Sequence, residues 1–248
     1  MRRVRFIVHA DDLGMSAAAN AAIEQCLAAR TITSASILAN GPEFEDGISI
    51  AKRHPSASYG VHLNITEFSP LSGANLEDLV RDGVFVNAAR TARLSRHLIA
   101  GAREEFSAQI ERVQQSGVAI SHLDSHHHIH TVPGLFLVVV GLAKRHGIRY
   151  VRQSRNIFPR DNPAAKSLQL KKAAWNAALG LAGLRRTDYF GSLTDFERTG
   201  LRFAHGSRIE IMVHPGGAGF EAESARLDTA WWEGHGIAPV WETYAGPV

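Results

Sequence analysis

Five imidazoles and one carboxylate lie within nine consecutive residues, 122–130, in the middle of this chain. If the segment is extended, its side chains alternate between two faces. One face would then carry His122, Asp124, His126, His128 and His130. Histidine is a frequent metal ligand and a general acid or base near neutral pH, so the run predicts a metal or catalytic site. The alternative is a solvated patch that traps metal incidentally, as purification tags do, although tags stand at chain termini.

Two adjacent carboxylates, Asp11 and Asp12, follow the apolar run of residues 4–8. Like charges beside a buried strand repel each other and resist burial, and a bound cation relieves that cost. Neighbouring side chains of an extended segment diverge, so one carboxylate can ligate a metal while the other takes a proton from the attacking water. The alternative is a helix N-cap or a turn, which the nearby Gly14 would also suit.

Two single histidines stand in or directly after two other predicted strands. His62 lies within the apolar strand of residues 58–63, where a lone histidine is more often a hydrogen-bonded core residue than a ligand. His214 follows residues 208–213 and precedes Pro215, so by itself it is equally well an incidental residue at a strand terminus. Taken with the features above, the two histidines predict one site to which several strands contribute.

Strands and helices are predicted to alternate along the chain. The strands are residues 4–8, 34–38, 58–63, 118–123, 149–152, 208–213 and 238–244, and the helices are residues 17–30, 43–53, 94–115, 133–144 and 162–183. Residues 65–91 lack a clear period and are predicted to form a long excursion over the surface. Alternation of this kind implies a parallel sheet. Because the candidate residues fall at carboxyl ends of strands, which meet on one rim of a barrel, the sequence predicts a TIM-like (β/α) barrel, either complete or distorted and incompletely closed.

The composition is that of a globular protein with one large core. A chain of 248 residues with 45% hydrophobic residues predicts a single barrel domain over residues 1–248. The formal net charge is +3 and the basic residues are scattered among 24 acids, which does not predict nucleic-acid binding. The lone Cys26 fits a reducing compartment. The longest apolar segment, residues 135–143, is too short to span a membrane and the first apolar run too short for a signal peptide, so a cytoplasmic protein is expected.

Four segments, in order from residue 4 to about residue 216, resemble the YdjC/ChbG family of carbohydrate deacetylases. They contain Ala10-Asp-Asp-Leu-Gly14, Gly60-Val-His-Leu-Asn-Ile-Thr66, His122-Leu-Asp-Ser-His-His-His-Ile-His130 and His214-Pro-Gly216. The resemblance implies a TIM-like barrel, related in mechanism to the NodB-type polysaccharide deacetylases. It also implies an enzyme that removes acetyl groups from N-acetylated sugars such as chito-oligosaccharides.

By the same resemblance, a divalent metal ion is held by Asp12, His62 and His126, while Asp11 is the general base and His214 the general acid. One carboxylate and two imidazoles favour zinc, with cobalt, nickel and manganese as alternatives and magnesium less natural. The implied partner is a small-molecule or oligosaccharide substrate. The sequence leaves open the glycan length and the oligomeric state, a homodimer included.

Several residues of interest have two readings. Asp124 is expected to orient either a ligand histidine or His214. His128 and His130 either line the cleft or lie beyond a turn of the chain, and the pair Trp231 and Trp232 either stacks on a sugar ring or packs against the core.

Two other functions also remain open. One is a different barrel hydrolase, acting on a cyclic amide or phosphoester with two metal ions, and the other is a non-catalytic metal- or sugar-binding protein.

Overall fold

The structure is a computed structural model that describes residues 1–89 and 94–247. The last two residues of the predicted surface excursion, 90 and 91, and the last residue of the predicted domain, 248, therefore lie outside the described residues. The central element is β1 (Arg2–Leu13), which is longer than the predicted residues 4–8 because neighbouring strands pair with it along its whole length. The carboxylates of Asp11 and Asp12 are thus part of this strand rather than of a turn after it.

Every predicted helix and strand is present, with ends that differ by a few residues. The elements after β1 are α1 (Ala17–Ala28), β2 (Ser34–Ile37), α2 (Phe44–Arg53), β3 (Ser58–Leu63), β4 (Val80–Arg81), β5 (Val84–Phe85), α3 (Arg96–Gln115), β6 (Ile120–Ser125), α4 (Pro133–Arg145), β7 (Tyr150–Val151), α5 (Lys166–Leu181), β8 (Tyr189–Ser192), α6 (Leu193–Glu197), β9 (Arg208–Val213), α7 (Glu221–Leu227), β10 (Ile237–Thr243) and β11 (Gly246–Pro247). The long excursion after β3 contains the small β4–β5 hairpin. Strand β8 and helices α6 and α7 are not predicted from the sequence.

Nine strands form one sheet, in which seven run parallel in the order β7-β6-β3-β2-β1-β9-β8. Strand β10 pairs in parallel with the first part of β1, and β11 is antiparallel to β10. Tyr150 of β7 forms one isolated bridge with Arg185, which lies shortly before β8. A mixed α/β fold with a mostly parallel central sheet is confirmed. Among the described residues no strand ladder joins β7 to β8, so a closed barrel stays a prediction.

The two faces of β1 are buried in different surroundings. Phe6 makes edge-to-face contacts with Phe196, at 5.6 Å between ring centroids, and with Trp231, at 5.2 Å. Trp231 is therefore a core residue, which is the second of its two predicted readings. The alternate face of the strand carries His9 and Asp11, which are also buried. Because both faces of this parallel sheet are buried, the sequence of β1 is a nearly continuous apolar run up to its polar end.

The bounds of β6 and the start of α6 follow from local features of the chain. β6 is displaced by two residues relative to the predicted 118–123, and this places Asp124 inside the strand. At the end of β8, the Ser192 hydroxyl accepts a hydrogen bond from the Asp195 N–H, and the Asp195 carboxylate accepts one from the Ser192 N–H. This capping box starts a helix of five residues, which is too short to show a helical period in the sequence.

Candidate metal and catalytic site

The structure brings the five predicted site residues to one edge of the sheet. Each lies at the carboxyl end of a parallel strand or directly after it, where neighbouring strand ends meet. Asp11 and Asp12 end β1, His62 lies in β3, His126 follows β6 and His214 follows β9. Strands β3 and β6 are hydrogen-bonded neighbours, and β9 pairs with β1.

The Asp12 carboxylate faces two imidazoles. Its Oδ1 atom lies 3.2 Å from His62 Nε2 and 2.9 Å from His126 Nδ1. The three candidate ligand atoms lie within 4.8 Å of one another. Because one carboxylate oxygen and two imidazole nitrogens converge, the three side chains have the donor set of a divalent transition-metal site.

The backbone at Asp12 explains why two adjacent carboxylates point to different partners. Asp12 has φ of 71°, in the left-handed region, and the pairing of β1 with β2 shifts register between Ala10 and Leu13. Aspartate is among the residues that adopt this conformation most readily, although it still carries strain. The resulting irregularity turns the Asp12 carboxylate towards the histidines, while the Asp11 carboxylate stays on the interior face of β1.

His62 is held from behind by a third carboxylate. Its Nδ1 atom lies 2.9 Å from Asp124 Oδ1 and 2.9 Å from Ser36 Oγ, while Nε2 faces Asp12. A carboxylate on the far nitrogen of a histidine fixes the ring and raises its basicity as a ligand. Of the two roles predicted for Asp124, the structure shows the contact with a candidate ligand histidine, and Glu223 contacts His214 instead.

The electrostatics of the three residues favour a bound cation. Burial alone would lower the pKa of His62. The charges of Asp124 and Asp11, and the hydrogen bonds that the ring makes to the carboxylates of Asp12 and Asp124, raise that pKa to about 10. Burial would raise the pKa of Asp12, yet its hydrogen bonds with His126 and His62 bring it well below the ordinary value. The surroundings therefore stabilise positive charge at this point, and a metal ion would replace the proton that His62 otherwise holds.

Asp11 forms a buried bidentate ion pair with Arg152, which directly follows β7. Arg152 Nη1 lies 2.9 Å from Asp11 Oδ2 and Nη2 lies 2.7 Å from Oδ1. The same guanidinium lies 2.9 Å from Asp124 Oδ2 and 2.6 Å from Glu210 Oε1. Burial would raise the pKa of Asp11, but Arg152 and His62 lower it to about 2. Asp11 is therefore ionised and oriented.

Arg152 is the main residue that the sequence analysis missed. It is the last residue of the predicted strand 149–152 and is almost fully buried. The signal that could have found it is a charged side chain at the carboxyl end of a predicted strand, which is the same signal that identified the aspartates. Its three acidic partners lie far away in sequence, so their convergence is visible only in the fold.

His214 and the candidate ligand His62 both approach Asp11, from strands that lie on opposite sides of β1 in the sheet. Asp11 Oδ2 lies 3.8 Å from His214 Nε2 and 3.9 Å from His62 Nε2. The backbone N–H of His214 donates to Glu223 Oε2 at 2.7 Å, its ring atom Nδ1 lies 3.7 Å from the same oxygen, and its ring stacks on Phe220 at 4.2 Å. Burial lowers the pKa of His214, but Glu223 and the charges of Asp11 and Asp12 outweigh it and raise that pKa. The sequence carries no signal for Phe220 and Glu223, which lie after the last recognisable motif.

The histidine run divides into separate environments: it is extended only as far as Ser125, and the chain then turns before His128, which is one of the two predicted alternatives. His127 and His128 have φ of 49° and 52°, and these two left-handed residues turn the chain into a 3-10 segment. His126 alone joins the Asp12 group. His122 is fully buried and stacks on Tyr244 at 3.9 Å, and burial keeps its pKa well below the usual value.

A cavity of about 340 Å³ lies beside the site, at the carboxyl ends of β7, β8 and β9. Its lining includes His128, Gln153, Phe190, Ser192 and Met212. Met212 is two residues before His214 and His128 is two residues after His126, so the cavity adjoins both sides of the candidate site.

Comparison with known proteins agrees with the motifs. Residues 5–235 match the family model described as YdjC-like protein. The chain belongs to the YdjC-like family. The predicted resemblance is thereby confirmed, and the four motifs that carry it lie within the matched residues.

Curated relatives of this YdjC-like chain are named carbohydrate deacetylase. The relative from Geobacillus stearothermophilus is 37% identical over 216 residues, which cover 84% of this chain and 78% of that protein. The relative from Brevibacillus brevis is 34% identical over 151 residues, and the chain spans only 58% of its length. A crystal structure of a candidate cellobiose-phosphate cleavage protein from Enterococcus faecalis superimposes with a TM-score of 0.74 over 98% of both chains. At 20% identity that likeness shows the fold alone.

None of the helices in the described residues is long and apolar enough to cross a membrane.

Proposed function

We propose that this YdjC-like protein is a metal-dependent deacetylase that hydrolyses the acetamide of an N-acetylated amino sugar or oligosaccharide. The proposal is carried by one observation: Asp12 meets two imidazoles at one oxygen, with Asp11 and His214 on either side of the same space. The names of the curated relatives support the substrate class.

The metal would be held by Asp12 Oδ1, His62 Nε2 and His126 Nδ1. A divalent metal in such a site acidifies a water molecule and polarises an amide oxygen. Three protein ligands leave coordination positions for those two oxygens, as catalytic zinc sites do. Two imidazoles and a carboxylate favour zinc, with cobalt, nickel or manganese next and magnesium last.

Asp11 takes the proton of the attacking water. Its carboxylate is ionised at neutral pH because Arg152 lowers its pKa to about 2. A base this weak removes a proton poorly from ordinary water, so it fits a water whose own pKa has been reduced. Arg152 also fixes both carboxylate oxygens, which holds the base in one orientation while the acetyl carbon is attacked.

His214 supplies the proton that the departing amine nitrogen needs. Its raised pKa keeps the imidazole protonated at a higher pH than an ordinary histidine, Glu223 binds its backbone N–H, and Phe220 stacks on its ring. Because His214 follows β9 and His62 lies in β3, on opposite sides of β1 in the sheet, the acid and the metal ligands would face the scissile bond from different directions.

The sugar itself would occupy the adjoining cavity of about 340 Å³. Gln153 and Ser192 offer hydrogen-bonding groups there for sugar hydroxyls, and Phe190 and Met212 offer apolar surface. We include in the proposal that the rim is that of an incompletely closed barrel, which is supported by the bridge between Tyr150 of β7 and Arg185, shortly before β8.

The two-metal alternative is disfavoured by Arg152. A second ion beside His62 would need the carboxylates of Asp11 and Asp124, which form the other candidate ligand group that contains His62. The guanidinium already lies within 2.9 Å of both, so it supplies the positive charge that a second ion would otherwise bring.

The test is a panel of N-acetylated amino sugars and chito-oligosaccharides incubated with zinc-loaded protein, with acetate and free amine both quantified. Equal release of the two products from at least one sugar is the expected result. Absence of release from every sugar, with zinc bound to the protein, would overturn the proposal.

A further inference from the structure

We propose that Ser36 and His9 form a buried hydrogen-bonded relay that fixes the orientation and the protonated nitrogen of His62, so that Nε2 presents its lone pair to the metal. His62 is a metal ligand only under the proposed function, on which this inference rests. The relay joins neighbouring strands of the sheet: His9 lies in β1, Ser36 in β2 and His62 in β3. The proposed reaction gives a role to His62 but none to Ser36 or His9.

The Ser36 hydroxyl lies between two imidazoles. Its Oγ atom is 2.9 Å from His62 Nδ1 and 3.1 Å from His9 Nε2. All three side chains are buried, with exposed fractions of 0% to 1%. A buried hydroxyl has one hydrogen to donate, so these two contacts cannot both be donations by Ser36.

The carboxylate of Asp124 decides which way the Ser36 hydroxyl points. Asp124 Oδ1 lies 2.9 Å from His62 Nδ1, and Asp124 Oδ2 forms a buried ion pair with Arg152 Nη1 at 2.9 Å. An ionised carboxylate only accepts hydrogen bonds, so Nδ1 of His62 carries the hydrogen. Ser36 therefore accepts at His62 and donates its own hydrogen to His9 Nε2.

The contacts of His9 Nδ1 lead to the same assignment of hydrogens without reference to Asp124. His9 Nδ1 lies 3.0 Å from Ser34 Oγ. Ser34 donates its hydrogen to the Ser58 carbonyl oxygen at 2.9 Å and accepts one from the Ser58 hydroxyl at 2.9 Å. Its hydroxyl hydrogen is thus already used, so His9 Nδ1 must donate and Nε2 is left as the acceptor that Ser36 requires.

Two carboxylates also approach His9 Nε2, and they define the competing arrangement. Asp124 Oδ2 is 3.4 Å away and Asp11 Oδ1 is 3.5 Å away, distances at which a protonated Nε2 would be attracted to both. Arg152 binds both of these oxygens at 2.7 to 2.9 Å and balances their charge. A hydrogen on Nε2 would leave the Ser36 hydroxyl with no acceptor among the contacts that the described residues offer, which in a buried site is costly.

The direct test is ¹⁵N NMR of histidine-labelled full-length protein, in which long-range couplings show which ring nitrogen carries hydrogen. We expect His9 to carry hydrogen on Nδ1 and none on Nε2, in the metal-free and the zinc-loaded protein alike. Hydrogen on Nε2 of His9, alone or on both nitrogens, would overturn the relay. This readout needs no substrate and no bound metal, so it is independent of whether the proposed function is correct.

A matched pair of variants tests the consequence for the metal. In His9→Gln the amide can place an acceptor near the former Nε2 position, whereas in His9→Asn the amide reaches only the former Nδ1 position beside Ser34. We expect His9→Asn and Ser36→Ala to weaken zinc binding about 10-fold, which is the lower end of the usual effect of removing a residue that orients a metal ligand. We expect His9→Gln to bind zinc within about threefold of the original protein. Ser49→Ala on the exposed face of α2 is the control.

Zinc affinity measured by competition with a chelator distinguishes the outcomes. Equal affinity in both His9 variants, with the fold retained by circular dichroism, would contradict the relay. If the original chain itself binds no zinc, the proposed function fails while the NMR experiment still decides the relay.

Discussion

Arg152 holds both carboxylate oxygens of Asp11, at 2.9 Å from Nη1 and 2.7 Å from Nη2, in a pair that is almost completely buried. Arg152 directly follows β7 and Asp11 lies in β1, and these two strands are not neighbours in the sheet. The contact therefore ties the chain after β7 to the central strand at the point where the candidate base lies. It fixes the charge and the direction of Asp11 at the same time.

Arg152→Lys should retain the charge and lose the bidentate geometry, because an ammonium cannot match both oxygens of one carboxylate. We expect kcat for deacetylation to fall about 100-fold, as misplacement of a reacting group does, with little change in zinc affinity. Steady-state kinetics together with zinc titration measure both. Wild-type kcat in this variant would contradict a positioning role for Arg152.

Asp11→Asn and Asp12→Asn are matched changes at adjacent carboxylates with different expected results. Asp11→Asn should lower kcat by about 10²- to 10⁴-fold, the usual contribution of a general base, while zinc stays bound. Asp12→Asn should lose zinc first, because it removes the one carboxylate ligand. Zinc content by mass spectrometry of the native protein and acetate release separate the two. Retention of turnover in Asp11→Asn would refute its role as base.

The pH dependence should report His214. Burial opposes the charged imidazole, but Glu223, Asp11 and Asp12 together raise the pKa of His214 above 6.5. An acid with a raised pKa stays protonated to higher pH, so kcat/KM should fall as pH rises through a value above 6.5. Glu223→Gln keeps an acceptor for the His214 N–H but removes the charge, and it should move this alkaline limb to lower pH. An unmoved limb would show that His214 isn't the titrating acid.

The same shift has a consequence for folding. A raised pKa in the folded state means that His214 contributes stability that is fully present below its unfolded value and lost as pH rises through its folded value. Glu223→Gln should therefore destabilise the protein more at acidic than at alkaline pH, relative to the original chain. Urea unfolding at two pH values on either side of the alkaline limb measures this difference. A loss of stability that is equal at both pH values would contradict it.

Trp231 should matter for stability and not for sugar binding. Its indole packs edge-to-face on Phe6 and Phe196, so Trp231→Ala should cost about 3 to 5 kcal/mol of unfolding free energy. Leu170→Ala is the control, since Leu170 is 73% exposed and its loss should stay within about 0.5 kcal/mol. Urea unfolding measures both changes. A raised KM for sugar in folded Trp231→Ala, without loss of stability, would favour the stacking role instead.

The candidate site residues could be predicted from the sequence because they lie at the carboxyl ends of predicted strands. Asp12, His62 and His126 are polar residues at the ends of apolar strands, and parallel strands bring such ends together whatever the intervening loops do. The sequence did not reveal Arg152 or Glu223, since their importance lies in partners that are distant along the chain. Strand β8, with only four residues, offers too short an alternation for a period to show.

The length of β1 and the division of the histidine run were also beyond the sequence. Asp12 remains in a strand because β2 pairs beyond it, and that pairing depends on tertiary structure. His127 and His128 adopt left-handed backbone conformations that non-glycine residues seldom take, so the sequence left open whether the alternating pattern continues or the chain turns.

The central claim is that Asp12, His62 and His126 hold the metal on which deacetylation depends. The most direct measurement removes metal from the purified protein with a chelator, dialyses the chelator away and titrates zinc back while acetate release from an N-acetylated chito-oligosaccharide is followed. Activity should disappear with the metal and return in full at one zinc per chain, and Asp12→Asn should show no such recovery. Acetate release that survives complete metal removal, or full recovery only at two zinc ions per chain, would contradict it.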